Sequence, residues 1–354
     1  MTHVNAGKRV VRPWHRALWL TGIGIVVSQP AHAHAQDGRS GLGPAELGVI
    51  VNEADALSRA IADYYVKRRG IPARNVVRVQ FEATNDVLAQ AEFTRIKQDI
   101  DRRLPATVQA LALTWARPYR VDCMSITSAF AFGFDASACA AGCQPTAMSR
   151  YYDSDSPAPQ RDYGIRPAMS LAAVNLEQAR ALIDRGIEAD RGHRGGTAYL
   201  LDTNDHARNA RAGGYFAARE FAADRVRVQV VRADYLENKR DVLLYETGVS
   251  QVRKLDSNQF VPGAIGDHLT SFGGNLFGTS QMSSLRWLEA GATASYGTVV
   301  EPCAFTAKFP NPAVLLKHYV AGETLIEAYW KSVAMPGQGL FIGEPLARPF
   351  GTAQ

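Results

Sequence analysis

Asp267, His268, Thr270 and Ser271 stand within five positions of each other, between the apolar pair Ala264-Ile265 and the glycines Gly273-Gly274. An imidazole titrates near neutrality and suits a general base. Beside it, a Ser271 or Thr270 hydroxyl could serve as nucleophile. A carboxylate, Asp267 or the more distant Glu301, could orient the ring. Backbone N–H groups around Gly273 and Gly274 could meet an oxyanion. Only four histidines follow residue 35, and His268 is the one that ends an apolar run. The alternation of an extended strand sets a condition on this set. His268 and Thr270 share a face, Asp267 points to the other, and Ser271 joins them only if the chain bends at the glycines. The plainer reading of His268 is a buried ring that holds a strand end by a hydrogen bond.

A second group with binding chemistry is Thr114-Trp115-Ala116-Arg117-Pro118-Tyr119-Arg120. Aromatic and guanidinium groups on one loop suit ligand recognition, and they also suit packing over a sheet end. Trp115, Arg117 and Tyr119, with Asp202 at the end of another strand, are the candidate ligand-binding residues. Asp153 and Asp155 could offer oxygen to a hard cation, but the full spacing of a calcium loop is missing, and a solvated turn explains them. No metal site is expected, and no cofactor is indicated.

The elements that must position these groups alternate in type. Leu47–Val51, Val76–Val79 and Val108–Leu113 read as strands, separated by amphipathic helices beginning at Asp55 and Ala91. After residue 170 come a helix at Leu176–Arg185, strands at Thr197–Leu201, Val226–Val231, Asp241–Tyr245 and Thr293–Val300, and helices at Ala207–Ala222, Met282–Ala290, Pro312–Val320 and Thr324–Val333. Gly339–Ile342 closes the series. Strand–helix alternation predicts a mainly parallel sheet with helices on both faces. Residues 121–170 break the pattern and read as a loop-rich insertion near the sheet end.

The first 35 residues combine a basic start (Lys8, Arg9, Arg12, Arg16), an apolar run at Ala17–Val27 and small-x-small sites at Ala31-His32-Ala33 and Ala33-His34-Ala35. That is the pattern of a secretory signal peptide, and the run is too short to span a bilayer. Residues 36–354 are expected to form one α/β domain. Without the leader the chain loses four of its 39 Lys and Arg residues and none of its 34 acids, which leaves a formal charge of +1. No basic block with interleaved aromatics follows, so nucleic acid is not an expected partner. An unidentified ligand or protein partner is left, with no membrane span in the mature chain and a periplasmic or extracellular location.

Four cysteines in an exported chain read as disulfides, and three pairings are open. The expected arrangement is Cys139–Cys143 and Cys123–Cys303. A zinc site at Cys139-x3-Cys143 lacks a histidine at usual spacing. Cys303 also ends a strand and is an alternative nucleophile if it is reduced.

Over Leu47–Phe81, Ala110–Phe134, Gly196–Asp205 and Val261–Phe350 the chain resembles a family of exported bacterial proteins of unknown function. More distantly, its C-terminal third resembles gingipain- and caspase-type cysteine peptidases. It has their order of strands and helix, the run Ala294-Ser295-Tyr296-Gly297, and Gly343-Glu344-Pro345 at the close. The resemblance implies a three-layer sandwich with a site at the carboxyl ends of the strands. In that family a His flanked by glycines ends one strand and a Cys ends the next. Here those places read Tyr245-Glu246-Thr247-Gly248-Val249-Ser250 and Gly266-Asp267-His268-Leu269-Thr270-Ser271. Neither dyad member is present. Two functions therefore stand: a hydrolase with a rebuilt site (His268, Asp267, Ser271, Glu301), or a non-catalytic binding module on a peptidase-like scaffold. Both require the strand ends to meet in one crevice.

Overall fold

A computed structural model describes residues 41–138, 143–192, 195–222 and 225–351. The expected signal peptide and Cys139 lie outside these residues. Among the described residues no helix is long and apolar enough to cross a membrane.

Continuous apolar runs become the central strands of one sheet, buried on both faces, while the edge strands 76–79 and 227–232 carry exposed arginines. The strands are β1 (Leu47–Asn52), β2 (Val76–Val79), β3 (Ala110–Leu113), β4 (Ala168–Ser170), β5 (Thr197–Asp202), β6 (Arg227–Arg232), β7 (Val242–Thr247), β8 (Phe260–His268), β9 (Ala294–Thr298) and β10 (Gly339–Gly343). Their order in the sheet is β2-β1-β3-β4-β10-β9-β8-β7-β5-β6. Pairing is parallel within β2-β1-β3-β4 and within β9-β8-β7-β5-β6. β10 runs antiparallel to β9. Val87–Leu88, Arg120–Val121 and Met124–Ser125 form a separate small sheet.

Nine helices are described: α1 (Ala56–Arg69), α2 (Gln90–Arg103), α3 (Ile126–Phe132), α4 (Pro159–Tyr163), α5 (Leu176–Ala189), α6 (Ala218–Ala222), α7 (Leu285–Glu289), α8 (Pro312–Val320) and α9 (Leu325–Lys331). Local sequence sets their ends. The Asp55 side chain accepts from the Leu57 amide at 2.9 Å, and Gly70 at φ 66° stops α1 in the left-handed conformation. One core holds side chains of α1, α5, α8 and α9 together with Val49, Tyr296 and Phe341. A second, with Phe93, Ile96, Trp115, Phe130 and Leu340, takes α2 and α3. Helices thus cover both faces of a mostly parallel sheet, which is the fold class expected.

Three expectations change. Residues 121–170 are not wholly an insertion, because they contain α3 and the sheet strand β4. Ala168-Met169-Ser170 is too short to show a period in sequence. The helix expected over 207–222 is a 3-10 run, Asn209–Ala217, followed by the short α6. Gly213 and Gly214 interrupt its α-helical propensity. The disulfide pairing also differs: Cys143 bonds Cys303 across 160 residues of sequence. Cys123 is disulfide-bonded as well. The bond from Cys143 ties the middle of the 121–170 segment to the loop after β9, where sequence proximity had favoured a small local ring.

Far from the strand ends discussed below, Glu344 of the Gly-Glu-Pro close is fully buried. It accepts from Arg69 Nε at 2.9 Å and from the Tyr65 hydroxyl at 2.8 Å. This pair anchors the chain end to α1. On β8, Trp287 of α7 lies directly on Gly266, where an added Cβ would stand 2.2 Å from the indole Cε3. Gly266→Ala is expected to cost about 3 kcal/mol through overpacking, read as a loss of soluble protein or a large fall in Tm.

Candidate functional site at the ends of β7 and β8

β7 and β8 lie in parallel register, with Glu246 beside Asp267 and Thr247 beside His268. Adjacent positions on a strand face opposite ways, so the two pairs fall on opposite faces of the sheet. On one face, His268 is 1 % exposed and both ring nitrogens are used. Trp287 Nε1–H donates to Nδ1 at 3.0 Å, and Nε2 lies 3.0 Å from the Met282 carbonyl. An indole N–H only donates and a carbonyl only accepts, so the ring is the neutral Nε2–H tautomer. Burial pushes its pKa down to about 4. A base needs a free lone pair, and this ring has none. In this arrangement neither nitrogen is free to serve as the expected general base, and the ring ties the end of β8 to α7.

The other face carries a buried charge cluster. Arg211 of the 3-10 run donates through Nη2 to Asp267 at 2.7 Å and to the Thr247 carbonyl at 3.1 Å. Its Nη1 reaches the Pro310 carbonyl and Glu246, both at 3.2 Å. Asp267 and Glu246 are fully buried. The Tyr329 hydroxyl lies 3.4 Å from Asp267. Burial raises the pKa of both acids and Arg211 opposes the rise, leaving Glu246 pushed up to about 8. One cation thus faces two acids of which one holds a proton near neutrality. Asp267 therefore pairs with Arg211 and cannot orient His268.

The remaining candidates are placed as follows. Thr270 is buried; its hydroxyl donates to Gln281 Oε1 at 2.8 Å and accepts from Arg208 Nε at 3.2 Å. Ser271 is half-buried, and its hydroxyl has no hydrogen-bond partner among the described residues. Glu301 is exposed and accepts from the Cys303 amide at 2.7 Å. Cys303 is held in the disulfide, so no thiolate is available in this state. Asp202 accepts from Asn209 Nδ2 at 2.6 Å. His206 is exposed.

The Trp115 loop serves packing. Trp115 is buried between Phe81 and Phe130 and donates to the Pro118 carbonyl at 3.1 Å. The Tyr119 hydroxyl and Arg117 Nε both bind Asp86, at 2.9 and 2.7 Å. The Arg117 guanidinium lies 3.9 Å from the ring centre of Phe277, on the loop after β8. Trp115 follows β3 and Asp202 ends β5, six strand positions away in the sheet. At roughly 4.8 Å per strand that is about 29 Å, too far for one small ligand. The single crevice is thus divided. Asp153 is taken up by Lys317 and His318, at 2.8 and 2.9 Å.

Arg211 also lines a cavity of about 390 Å³. Its walls include Met148, Tyr152, Phe309, Pro310 and Pro312, with Asn311 and Ser332 as polar groups. Arg211 Nε is buried and has no hydrogen-bond partner. Sequence reading missed Arg211. The signal for it was Glu246 and Asp267 themselves, two carboxylates inside apolar strands, which require a buried cation.

Glu246 sets a pH dependence. Its folded pKa lies above the ordinary value of 4.5, so the stabilisation it gives is complete below pH 4.5 and is lost as pH rises through about 8. His268 acts in the opposite sense only below its ordinary pKa of 6.5. Between pH 6.5 and 8.5 wild-type stability should fall by up to about 1.4 kcal/mol per pH unit, and Glu246→Gln should flatten that slope in denaturant titrations.

No family model matches the chain, and no curated protein matches it. Among solved structures it is similar to the Arg-specific cysteine proteinase gingipain R, at 9 % identity and a TM-score of 0.49, over 86 % of this chain and 78 % of that one. It is also similar to a structure described as a protease, at 11 % identity and a TM-score of 0.42, over 88 % and 80 % of the two chains.

Proposed function

We propose that the chain is an exported, non-catalytic binding module, in the periplasm or outside the cell, that holds an uncharged, peptide-like ligand in the Arg211 cavity. The observation that carries this reading is Arg211, a buried guanidinium on the cavity wall whose Nε–H is unpartnered. The Nε–H is sealed from the cavity, so a bound carbonyl meets it only after the guanidinium turns, which would recover the roughly 1–3 kcal/mol that a buried unmade hydrogen bond costs. The surrounding cluster is near neutral when Glu246 is protonated, so the cavity favours a carbonyl over an anion. Met148, Phe309 and the prolines supply apolar walls, while Asn311 and Ser332 supply polar contacts. Apolar walls with a few convergent polar groups are the usual make-up of a small-ligand site. The engaged His268 and the bonded Cys303 support binding over nucleophilic turnover. The disulfide fits an oxidising compartment.

Gly214 lines the cavity, is exposed, and has no atom within 4 Å of an added Cβ. Gly214→Trp should fill the space without strain. N-acetyl-phenylalanine amide is expected to raise the Tm of the wild-type chain saturably and to leave Gly214→Trp unshifted, with the unliganded Tm of the two proteins nearly equal. A fluorophosphonate probe should label neither protein. Labelling at Ser271, or no saturable shift across a set of blocked dipeptides, would sink the reading.

A further inference from the structure

The loop between β9 and α8 hides a lysine. Lys308 is fully buried, and its Nζ has no hydrogen-bond partner. The group beside it is the Phe305 ring, whose centre is 5.2 Å from the ammonium nitrogen. Burial lowers the lysine pKa, while Glu301 raises it. The Lys308 backbone is well fixed: its carbonyl accepts from the Tyr296 hydroxyl at 2.5 Å, and its amide donates to the Phe305 carbonyl at 2.9 Å. The cover is held differently. Phe305 follows Cys303 and Ala304, two successive non-glycine residues in the left-handed region, at φ 55° and 54°. L-residues adopt that conformation at a cost, and two in a row persist only under restraint. Three restraints act on this turn: the Cys303 amide binds Glu301 at 2.7 Å, the Phe305 amide closes on the Pro302 carbonyl at 3.4 Å, and the bond from Cys303 to Cys143 is the one that ties the loop to a distant part of the chain. Cys143 is exposed and Cys303 half-buried, so the bond lies near the surface.

We propose that the Cys143–Cys303 disulfide is a redox latch that keeps the Lys308 amine closed, and that reduction by a dithiol opens it. In the step, one dithiol thiolate attacks a protein sulfur and forms a mixed disulfide. The second dithiol sulfur then displaces the protein sulfur. The dithiol loses two electrons and two protons and becomes a cyclic disulfide, and Cys143 and Cys303 become thiols. Once the bond is open, Cys303 and Ala304 relax to ordinary backbone angles and swing Phe305 off the amine. Lys308 then offers an unpaired amine at the edge of β9. The latch stands on the loop geometry and does not need the cavity ligand.

The test is amine acetylation of the full chain with sulfo-N-hydroxysuccinimide acetate at pH 7.5, with and without dithiothreitol, read by peptide mass spectrometry. Cysteine alkylation confirms reduction. Labelling of Lys308 should rise at least tenfold on reduction, while the exposed Lys67 and Lys254 stay constant and the buried Lys331 stays protected. The double variant Cys143→Ser, Cys303→Ser should show the reduced pattern without dithiothreitol. Equal Lys308 labelling in the two states, with the thiols confirmed free, overturns the proposal. So does a parallel rise at Lys331, which would mark general unfolding.

Discussion

Alternation along an extended strand decides which groups at the ends of β7 and β8 can meet. Asp267 and His268 are neighbours in sequence, yet the sheet lies between their side chains. The carboxylate joins Glu246 from the adjacent strand and must find a cation on its own face. The imidazole joins Thr247 and Tyr245 on the other face and must find an indole. The environments that follow, one ionic and one aromatic, are consequences of that division.

The ionic side depends on Arg211, the centre to which two strands, the 3-10 run and the Pro310 carbonyl converge. A buried ion pair adds little net stability over an apolar core, but removal of one partner strands a charge and is severe. The guanidinium therefore fixes the 3-10 run over the sheet and defines one wall of the cavity. The aromatic side depends on the close seat of Trp287 on Gly266. A side chain at 266 would lift the indole and break its donation to His268. Each face thus has one group whose position sets the rest.

Much of the architecture was readable from local pattern. Continuous apolar runs at 47–51 and 197–201 marked buried strands because both faces of the sheet are covered. Asp55 and Gly70 marked the ends of α1 by capping chemistry. What could not be read was non-local. β4 is three residues long and is defined by its partners, not by its own sequence. The partner of Cys143 lies 160 residues away, and nothing near either cysteine specifies it. At the site, His268 and Asp267 were visible as polar groups ending an apolar run, and the alternation rule already separated them. The identities of Trp287 and Arg211 as their partners depend on where α7 and the 3-10 run fold back. Trp115, Arg117 and Tyr119 carry recognition chemistry in composition, but Phe81, Phe130, Asp86 and Phe277 absorb it in packing.

The place of β10 in the sheet bears on how the chain comes to be folded. Within the sheet, the four N-terminal strands and the five that follow residue 196 touch only through this last strand, at Ile342 with Ser170 and at Gly339–Gly343 with Ala294–Thr298. A polypeptide delivered from its amino end can assemble either half before residues 339–343 emerge, but the seam between the halves stays open until they do. Loss of residues 339–343 alone would leave two partial sheets with bare central edges.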